Sequence, residues 1–431
     1  MTLKKLTLGL ALTVAELTAQ AQQTMSLTLA EAQQYAVEHN QSMRNADLEV
    51  KRSETERWKT LSTMLPQVKA GFDYQNMCGY EMHMGSGLMS INIPMDPNGN
   101  FNVTASLALT GAQIVGTMLQ DIAIQMSDIT RQQTEQTTRS NVKNVYTSIL
   151  IMEETVVLLD SSLSNLERLA ATSQASVNAG AAEQVDADKI QVQVASMRTS
   201  INTTRRSLWA LRNSLLLQLG ADVNTQLQLT TKVDDILNVS NATTLLSNSG
   251  FDITKNYNYQ LLEQNEKLAK KQVTMAWMDF TPTLSAYYQY SKKVYFGEEG
   301  MNMTPPNMVG ASISIPLLSS GSRAAGVKSA KISYQEALNS KQQAEDGLKV
   351  QYNQLCYDLA SALESYDIQS RNLAVSKRVF DNVTEKYKYG RASSLEVTNA
   401  STDIISAQSN YIQAVMNVIS AQTALENLLG M

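Results

Sequence analysis

The chain has 431 residues, of which 17% are charged, and it carries a formal net charge of -5. An average soluble protein is about 25% charged, and the difference here is made up by Ala, Ser, Thr, Asn and Gln. Because the chain has no large basic field to neutralise phosphates, nucleic acid is excluded as a partner. The sequence has only two histidines and contains no nucleophile elbow, phosphate-binding loop or metal-ligand helix motif. We therefore expect no enzymatic activity, no cofactor and no resident metal.

The amino terminus has the layout of a cleaved secretory signal peptide. Lys4 and Lys5 precede a short apolar run from Leu6 to Ala15, and the small-x-small triplet Ala19-Gln20-Ala21 follows. We predict that residues 1–21 are removed. After them, no apolar stretch approaches the roughly 20 residues that a membrane-spanning helix needs.

A first helix is followed by two runs that alternate between apolar and polar side chains, at about 67–76 and 101–111. Such alternation predicts strands with one apolar and one polar face. In the second run, one face contains Val103, Ala105, Leu107 and Leu109, and the other contains Thr104, Ser106 and Ala108.

Between these two runs lies a stretch rich in soft donor atoms, Met77 to Met89, which reads MCGYEMHMGSGLM. Thioether, thiolate and imidazole groups suit monovalent copper or silver, but three glycines and a serine favour a flexible loop. Its cysteine, Cys78, and the other one, Cys356, show neither a zinc pattern nor a disulfide framework.

A very long helix with a heptad repeat follows the strands, then a turn near Gly180 and a return helix. The heptad positions are apolar and predict a left-handed coiled coil; they are Val145, Ile149, Met152, Val156, Leu159, Leu163, Leu166 and Ala170. Residues 222–255 are short and mixed in pattern, and they link the two halves of the chain.

The chain then repeats itself, with 22–240 as the first copy and 241–431 as the second. Gly180 and Gly390 lie 210 residues apart, as do Gly220 and Gly430, and Asn40 precedes Pro66 by the same 26 positions as Asn256 precedes Pro282. The second copy is predicted to contain a helix, strands at about 283–295 and 308–317, a long helix at 322–389, a turn near 390 and a return helix. Its heptad positions include Tyr352, Leu359, Tyr366, Leu373, Phe380 and Tyr387.

The strand runs are each about ten residues long, the length that a tilted strand needs to cross a bilayer. Four strands are too few to close a barrel, and open strand edges are not stable in hydrocarbon. Several chains must then share one barrel, and three chains supply twelve strands, within the range observed for outer membrane barrels. The predicted fold class is α+β and mostly α, with long α-helical coiled coils and a transmembrane β-barrel shared by a trimer.

Several segments together resemble the TolC-type outer membrane efflux proteins. They are Leu27-Thr-Leu-Ala-Glu-Ala, the Leu65-Pro66 entry to the first strand, SIPLLSSGSRAAGVKSAK, SVNAGAAEQVDADK and YKYGRASSLEVTNA. Their order and their duplication carry the match, which covers nearly the whole chain after the signal peptide.

The resemblance implies a homotrimer in the outer membrane, with a long α-helical coiled-coil tunnel as its periplasmic portion. It also implies that residues 222–255 lie in the equatorial belt of that tunnel. It implies an exit duct for a tripartite efflux or type I secretion system, joined to an inner membrane pump or exporter through a periplasmic adaptor. Outer membrane lipid is then a partner, and the cargo is set by the pump. The Met77 to Met89 stretch is expected at the extracellular rim, where it either binds soft metal ions or packs against the other copies.

The resemblance also implies a periplasmic gate at the two turns. Gly180 and Gly390 end the long helices, Asp186 and Glu396 follow six residues later at the starts of the return helices, and Tyr387 precedes the second turn. These five residues are the candidate gate and tip. In isolation, Asp186 and Glu396 are equally well read as solvated carboxylates at helix starts.

The match to the family pattern at the second turn is incomplete. Ala392 stands where the best-studied member has an arginine, with Arg391 displaced by one position, and Asn399 stands where that member has an acidic residue. These differences concern the bonding within the gate.

Two other classes of protein are alternatives to the duct. The first is a periplasmic or secreted structural coiled-coil trimer without channel activity, whose alternating runs form a water-soluble sheet. The second is the coiled-coil adaptor itself, which normally has lipoyl-like and soluble β-barrel segments around one hairpin. The presence of two long hairpins, each after a strand pair, argues against the adaptor.

Overall fold

The computed structural model describes residues 24–84, 91–236, 239–247, 250–296 and 305–431. The predicted signal peptide, residues 1–21, lies outside them. The chain divides into two compact units. The helical unit comprises the chain up to Asp47, Thr130–Tyr259 and Ala344–Met431, and the sheet unit comprises Leu48–Ile129 and Gln260–Gln343.

The first repeat contains two short helices, a strand pair with a small hairpin between its strands, and two long helices. Its elements are β1 (Thr24–Leu27), α1 (Leu29–His39), α2 (Gln41–Ser62), β2 (Gln67–Gln75), β3 (Glu81–Met84), β4 (Ile91–Pro94), β5 (Asn98–Leu109), α3 (Gly111–Asn178), α4 (Gln184–Leu219) and β6 (Gln226–Leu229).

After a link of short helices, the second repeat again contains a helix, two strands and two long helices in that order within the described residues. Short helices α5 (Val233–Ile236) and α6 (Val239–Ser247) and a 3-10 turn (Ile253–Lys255) lead into α7 (Tyr257–Met278), β7 (Thr283–Tyr295), β8 (Asn307–Ser314), α8 (Ser322–Lys388) and α9 (Ser394–Leu428).

The structure differs from the sequence expectations in several local features. Strand β5 runs from Asn98 to Leu109 and not from about 101 to 111. The single first helix is two helices, because Asn40 takes an extended backbone conformation between α1 and α2. The connection between the first two strands contains the β3–β4 hairpin. Strand β8 ends at Ser314, short of the expected residue 317, two residues before Pro316, which has no N–H to donate to a ladder.

In the helical unit, the core lies between long helices at heptad positions. One cluster includes Val142, Tyr146, Ile149, Leu150, Ile151, Leu215, Leu219, Val415 and Ile419, and another includes Leu159, Leu166, Leu169, Ile190, Met197, Phe380, Val397 and Ile404. Buried side chains that recur every seven residues give the packing that the sequence pattern predicts.

The parallel pair of β1 and β6 is tied to this core by Tyr146, which is fully buried on α3. Its hydroxyl donates to the carbonyl oxygen of Leu27 at 2.9 Å and accepts from the backbone N–H of Thr231 at 3.2 Å. One side chain of the first long helix therefore holds both the end of β1 and the segment that follows β6.

In the sheet unit, four antiparallel strands are ordered β2-β5-β7-β8. The second strand of the first repeat pairs with the first strand of the second repeat, through a register that matches Leu109 with Leu284 and Asn98 with Tyr295. The two strand pairs predicted from the sequence thus form one continuous sheet.

Candidate functional site: the sheet faces and the hairpin tips

The register places most apolar strand residues on one face of the sheet. Cross-strand partners such as Phe72 and Phe101, or Leu284 and Ile313, bring like side chains together. We call this the apolar face; its members include Val68, Ala70, Phe72, Tyr74, Phe101, Val103, Ala105, Leu107, Leu109, Leu284, Ala286, Tyr288, Tyr290, Val294, Val309, Ala311 and Ile313. Ten of its large side chains are exposed within the chain, namely Val68, Phe72, Tyr74, Phe101, Leu109, Leu284, Tyr288, Val294, Val309 and Ile313.

The opposite face of the sheet is mainly polar and internally hydrogen-bonded. Ser285 and Ser312 hydroxyls lie 2.7 Å apart, Ser291 donates to Asn100 at 2.7 Å, and the Asn102 amide donates to Asp73 at 3.0 Å. An apolar, uncovered face opposite a hydrogen-bonded polar face is the arrangement of a sheet between lipid and water.

Aromatic side chains cluster at both ends of the strands. Tyr74 at the end of β2 lies against Phe296 after β7, with ring centroids 5.9 Å apart. Before β7, Trp277 and Phe280 lie 5.5 Å apart, and the Arg323 guanidinium lies 6.0 Å from the Phe280 ring. Aromatic rings at both ends of the strands suit the two interfaces of a bilayer.

In the helical unit, two tight turns close the helix pairs α3–α4 and α8–α9, which we call the first and second hairpins. Gly180 and Gly390 adopt left-handed backbone conformations with φ of 75° and 66°. The backbone N–H after each glycine donates to a helix carbonyl five residues earlier, Ala181 to Ser176 at 2.8 Å and Arg391 to Lys386 at 2.9 Å. This is the glycine helix-ending motif, so each turn needs glycine for its conformation.

Two of the five candidate gate residues bond across the hairpins. The Asp186 carboxylate at the start of α4 accepts from the hydroxyl of Ser394 at the start of α9. The Tyr387 hydroxyl near the end of α8 lies 2.9 Å from the hydroxyl of Ser173 on α3. Both serine partners are buried, so these links lie where the hairpins pack together.

Glu396 instead caps its own helix. Its carboxylate accepts from the Ser393 backbone N–H at 2.6 Å, while the Ser393 hydroxyl accepts from the Glu396 N–H at 3.2 Å. These hydrogen bonds, the backbone one first, lower the pKa of Glu396 below its ordinary value.

The repeat explains why the two acidic residues behave differently. Asp186 lies 210 residues before Glu396, and Glu183 stands at the position of Ser393. Glu183 makes no side-chain cap bond, so no capping box forms there and the Asp186 carboxylate bonds to the other hairpin. Lys189, one turn along α4, lies 3.6 Å from this carboxylate.

Sequence reasoning missed the two serine partners, Ser173 and Ser394. Ser394 begins a row of buried residues every seven positions along α9, so heptad phase on the return helix was the signal that could have found it. Of the two positions that depart from the family pattern, Ala392 is half-buried and Asn399 is exposed, and the displaced Arg391 is exposed as well.

The Met77 to Met89 stretch includes part of the β3–β4 hairpin, and its residues 85–89 lie outside the described residues. Cys78 is exposed and has a left-handed conformation with φ of 53°. Across the ranges that the structure describes, no three His, Cys, Asp or Glu side chains are arranged to hold a metal ion.

No helix in the described ranges combines the length and apolar character needed to cross a membrane.

Comparison with known proteins places this geometry in one class. Residues 256–431 match the family model of the outer membrane efflux protein. A segment of 122 residues is 25% identical to the outer membrane efflux protein BepC of Brucella suis biovar 1 (strain 1330), covering 28% of this chain and 27% of that protein. The match thus spans about a quarter of the relative's length.

Solved structures share the fold over nearly the whole chain. CusC matches with a TM-score of 0.74 and 17% identity, over 93% of this chain and 92% of the other. The outer membrane protein VceC of Vibrio cholerae matches with a TM-score of 0.70 and 12% identity, over 93% and 96%. The MtrE outer membrane channel of Neisseria gonorrhoeae matches with a TM-score of 0.69 and 18% identity, over 93% and 88%.

The fold is therefore that of the TolC-like outer membrane channels. The resemblance to TolC-like outer membrane efflux proteins that the sequence predicts is confirmed.

Proposed function

We propose that this chain forms the outer membrane exit duct of a tripartite efflux or type I secretion system, as a passive conduit for cargo. The observation that carries the proposal is the apolar face of the sheet. Ten large apolar side chains stand exposed on one face, far more than an aqueous sheet leaves uncovered. Outer membrane lipid covers this face in our account.

The sheet also supports sharing between copies. Among the described residues, β2 and β8 each pair on one side only. Unpaired edges are not stable in hydrocarbon, so β8 of one copy pairs with β2 of the next. Three copies give a closed barrel of about twelve strands.

The polar face of the sheet then lines the lumen. Its hydroxyl and amide groups, such as those of Ser285, Ser312 and Asn100, bond mostly to one another. A lining of this kind is permissive, so selection of the cargo falls to an inner membrane transporter. A periplasmic adaptor joins the two and docks at the turns around Gly180 and Gly390.

The hairpin tips form the periplasmic gate in this proposal. The Asp186–Ser394 and Tyr387–Ser173 bonds hold the two hairpins together near their ends. Glu396 stays exposed at the mouth and contributes negative charge there. Opening requires the two cross-hairpin bonds to break, whereas the turns at Gly180 and Gly390 keep their shape.

The test is reconstitution of the detergent-purified protein into planar bilayers, with the outer membrane fraction as the source. We expect discrete channels with low conductance at rest. A protein that is extracted into buffer without detergent and forms no channels contradicts the proposal and favours a structural coiled-coil trimer.

A further inference from the structure

The two connections from the sheet to the long helices that follow it differ between the repeats. Only Thr110 separates β5 from α3, whereas residues 315–321 separate β8 from α8. We call residues 315–321 the long connection; its sequence is IPLLSSG. The second repeat therefore has an additional segment at the end of the strands that joins the long helices.

The long connection presents apolar side chains next to the apolar face of the sheet. Ile315, Leu317 and Leu318 are 60%, 91% and 87% exposed. Ile315 follows Ile313 of the apolar face by two residues, the spacing of side chains on one face of a strand. The exposed apolar surface of β8 thus continues beyond the end of the strand. A continuous apolar surface of this kind marks contact with lipid or with another protein.

Two cations of α8 lie over aromatic rings near the end of α7. The Arg323 guanidinium lies 6.0 Å from the centroid of the Phe280 ring, and the Lys331 amine lies 5.8 Å from that of Trp277. Phe280 and Trp277 are 42% and 48% exposed. Arg323 also donates to the carbonyl oxygen of Pro316 at 3.2 Å. The guanidinium is therefore held beside the long connection.

These cations have no carboxylate partner in the described part of the chain. Arg323 is half-buried, yet among the described residues neither it nor Lys331 forms an ion pair. Residues 300–335 contain three cations, Arg323, Lys328 and Lys331, and no aspartate or glutamate. The positions 210 residues earlier, in the first repeat, carry no cation; they are Gln113, Met118 and Asp121. The positive charge thus belongs to the second connection alone.

An anionic phospholipid matches this surface in chemistry. A guanidinium binds the oxygens of a phosphate through its N–H groups, and clustered cations at the membrane surface attract anionic headgroups. A zwitterionic headgroup also carries an ammonium group, for which residues 300–335 provide no carboxylate. The charge of this surface therefore favours a headgroup with a net negative charge.

We propose that the long connection and the cations of α8 bind an anionic phospholipid of the periplasmic leaflet of the outer membrane. Arg323 holds the phosphate, Lys331 extends the positive surface towards the periplasm, and the acyl chains lie against Ile315 and Leu317. This rests on the proposed duct, in which the long helices are periplasmic. It adds a lipid-specific site at one of the two connections in each chain.

The experiment measures which phospholipids the protein retains. The full chain is reconstituted in nanodiscs with equal amounts of phosphatidylglycerol and phosphatidylethanolamine, extracted in mild detergent and washed, and the bound lipids are counted by mass spectrometry. A cation near the membrane surface changes the affinity for anionic lipid by about fivefold. We expect the retained phosphatidylglycerol to be enriched by about this factor or more, and Arg323→Gln to reduce the enrichment by about fivefold.

Two further variants and a matched control complete the design. Arg323→Lys keeps the charge and should retain part of the enrichment. Lys331→Gln leaves the Arg323–Pro316 hydrogen bond in place, so it tests the site even where Arg323→Gln does not assemble, and it should also reduce the enrichment. The control is Lys69→Gln, because Lys69 lies opposite Thr104 on the polar face of the sheet. It removes the same charge from the other face and should leave the lipid ratio unchanged.

The outcomes separate this inference from the proposed function. A trimer that forms channels but retains both lipids in their bulk ratio overturns the inference and leaves the duct proposal standing. Equal loss of enrichment in Arg323→Gln and Lys69→Gln also overturns it, because the preference would then follow net charge and not this surface. A protein that is extracted without detergent and retains no phospholipid overturns both.

Discussion

At the scale of single residues, the repeat is held together by two equivalent clasps in the helical unit. The Asn40 amide donates to the Gln218 carbonyl oxygen at 2.6 Å, and the Asn256 amide donates to that of Leu428 at 3.1 Å. Two residues after each acceptor, Gly220 and Gly430 end the return helices with φ of 71° and 70°. A Cβ atom on Gly220 or Gly430 would collide with the backbone carbonyl of His39 or Lys255.

The clasps predict an ordered loss of stability among glycine variants. A non-glycine residue in the left-handed conformation lowers the free energy of unfolding by roughly 1–2 kcal/mol. Gly220→Ala and Gly430→Ala should each lower it by more, because the backbone carbonyls that collide with the new Cβ atom cannot move freely. Gly180→Ala is the matched control, since Gly180 has φ of 75° with open space around it. Thermal unfolding in mild detergent should rank Gly180→Ala as the mildest; equal losses in all three variants would rule out the close approach.

Glu396 predicts a pH dependence for the start of α9. Because its pKa is lowered in the folded state by the Ser393 hydrogen bonds, its stabilising effect is present above the ordinary pKa of a glutamate and is lost as pH falls through the folded value. Glu396→Gln should therefore unfold at a lower temperature than the unmodified protein at pH 7. In strong acid, where the glutamate is protonated, the unfolding temperatures of the two proteins should lie closer together. A difference that stays constant from pH 7 to strong acid contradicts the capping role.

Asp186 and Ser394 give a prediction for the proposed gate. Asp186→Ala and Ser394→Ala remove the same cross-hairpin bond, so each should raise single-channel conductance in planar bilayers, and the double variant should add little more. Glu396→Ala should weaken cation preference and leave conductance closer to that of the unmodified protein. Unchanged conductance in Asp186→Ala and Ser394→Ala would show that these two residues do not hold the gate closed.

At the scale of elements, the register between strands determines which side chains share a face of the sheet. A shift of one residue between β5 and β7 would turn every side chain of one strand to the other face, and the observed register instead collects most of the apolar residues together. The alternation in the sequence predicted an apolar and a polar face for each strand. Only the pairing of β5 with β7 shows that the apolar faces of all four strands form one continuous surface.

Adjacent residues of β8 test the two faces directly. Ala311→Arg puts a charge on the apolar face and should prevent insertion or assembly, since arginine near the bilayer midplane costs about 2–4 kcal/mol per copy. Ser312→Arg puts the same charge on the polar face, so it should insert normally and change conductance. The measurements are the amount of protein in the outer membrane fraction and the channel current; equal insertion of both variants would contradict the lipid-facing assignment.

Much of the element order was readable from the sequence because heptads and alternation are local signals. The break at Asn40 was not predicted, although Asn40 carries a local signal, since its side-chain oxygen accepts from the Ser42 backbone N–H at 2.7 Å at the start of α2. Its amide bond to the Gln218 carbonyl oxygen, 178 residues away, could not be predicted because it depends on packing. At the tips, glycine chemistry located the turns at Gly180 and Gly390. The partners of Asp186 and Tyr387 were missed because Ser394 and Ser173 belong to the other hairpin, and such contacts depend on packing.

At the scale of the whole molecule, the chain contains a duplicated unit whose two copies are not equally covered. Helix α9 of the second repeat is buried on a face that is exposed on its counterpart α4. Among the described residues, the outer strands of the sheet, β2 and β8, each pair with only one neighbouring strand. Further copies of the same chain, arranged in a closed ring, would cover the exposed helix face and pair the two outer strands. The unequal cover of the two repeats therefore argues for assembly of several copies of the chain.

The most direct test of this account is the mass of the detergent-solubilised protein from the outer membrane fraction, measured by light scattering with correction for bound detergent. The account predicts three chains per particle, which supply twelve strands and pair every sheet edge. A monomer that stays in solution without detergent would contradict it, because the apolar face of the sheet would then have to be covered from within the chain.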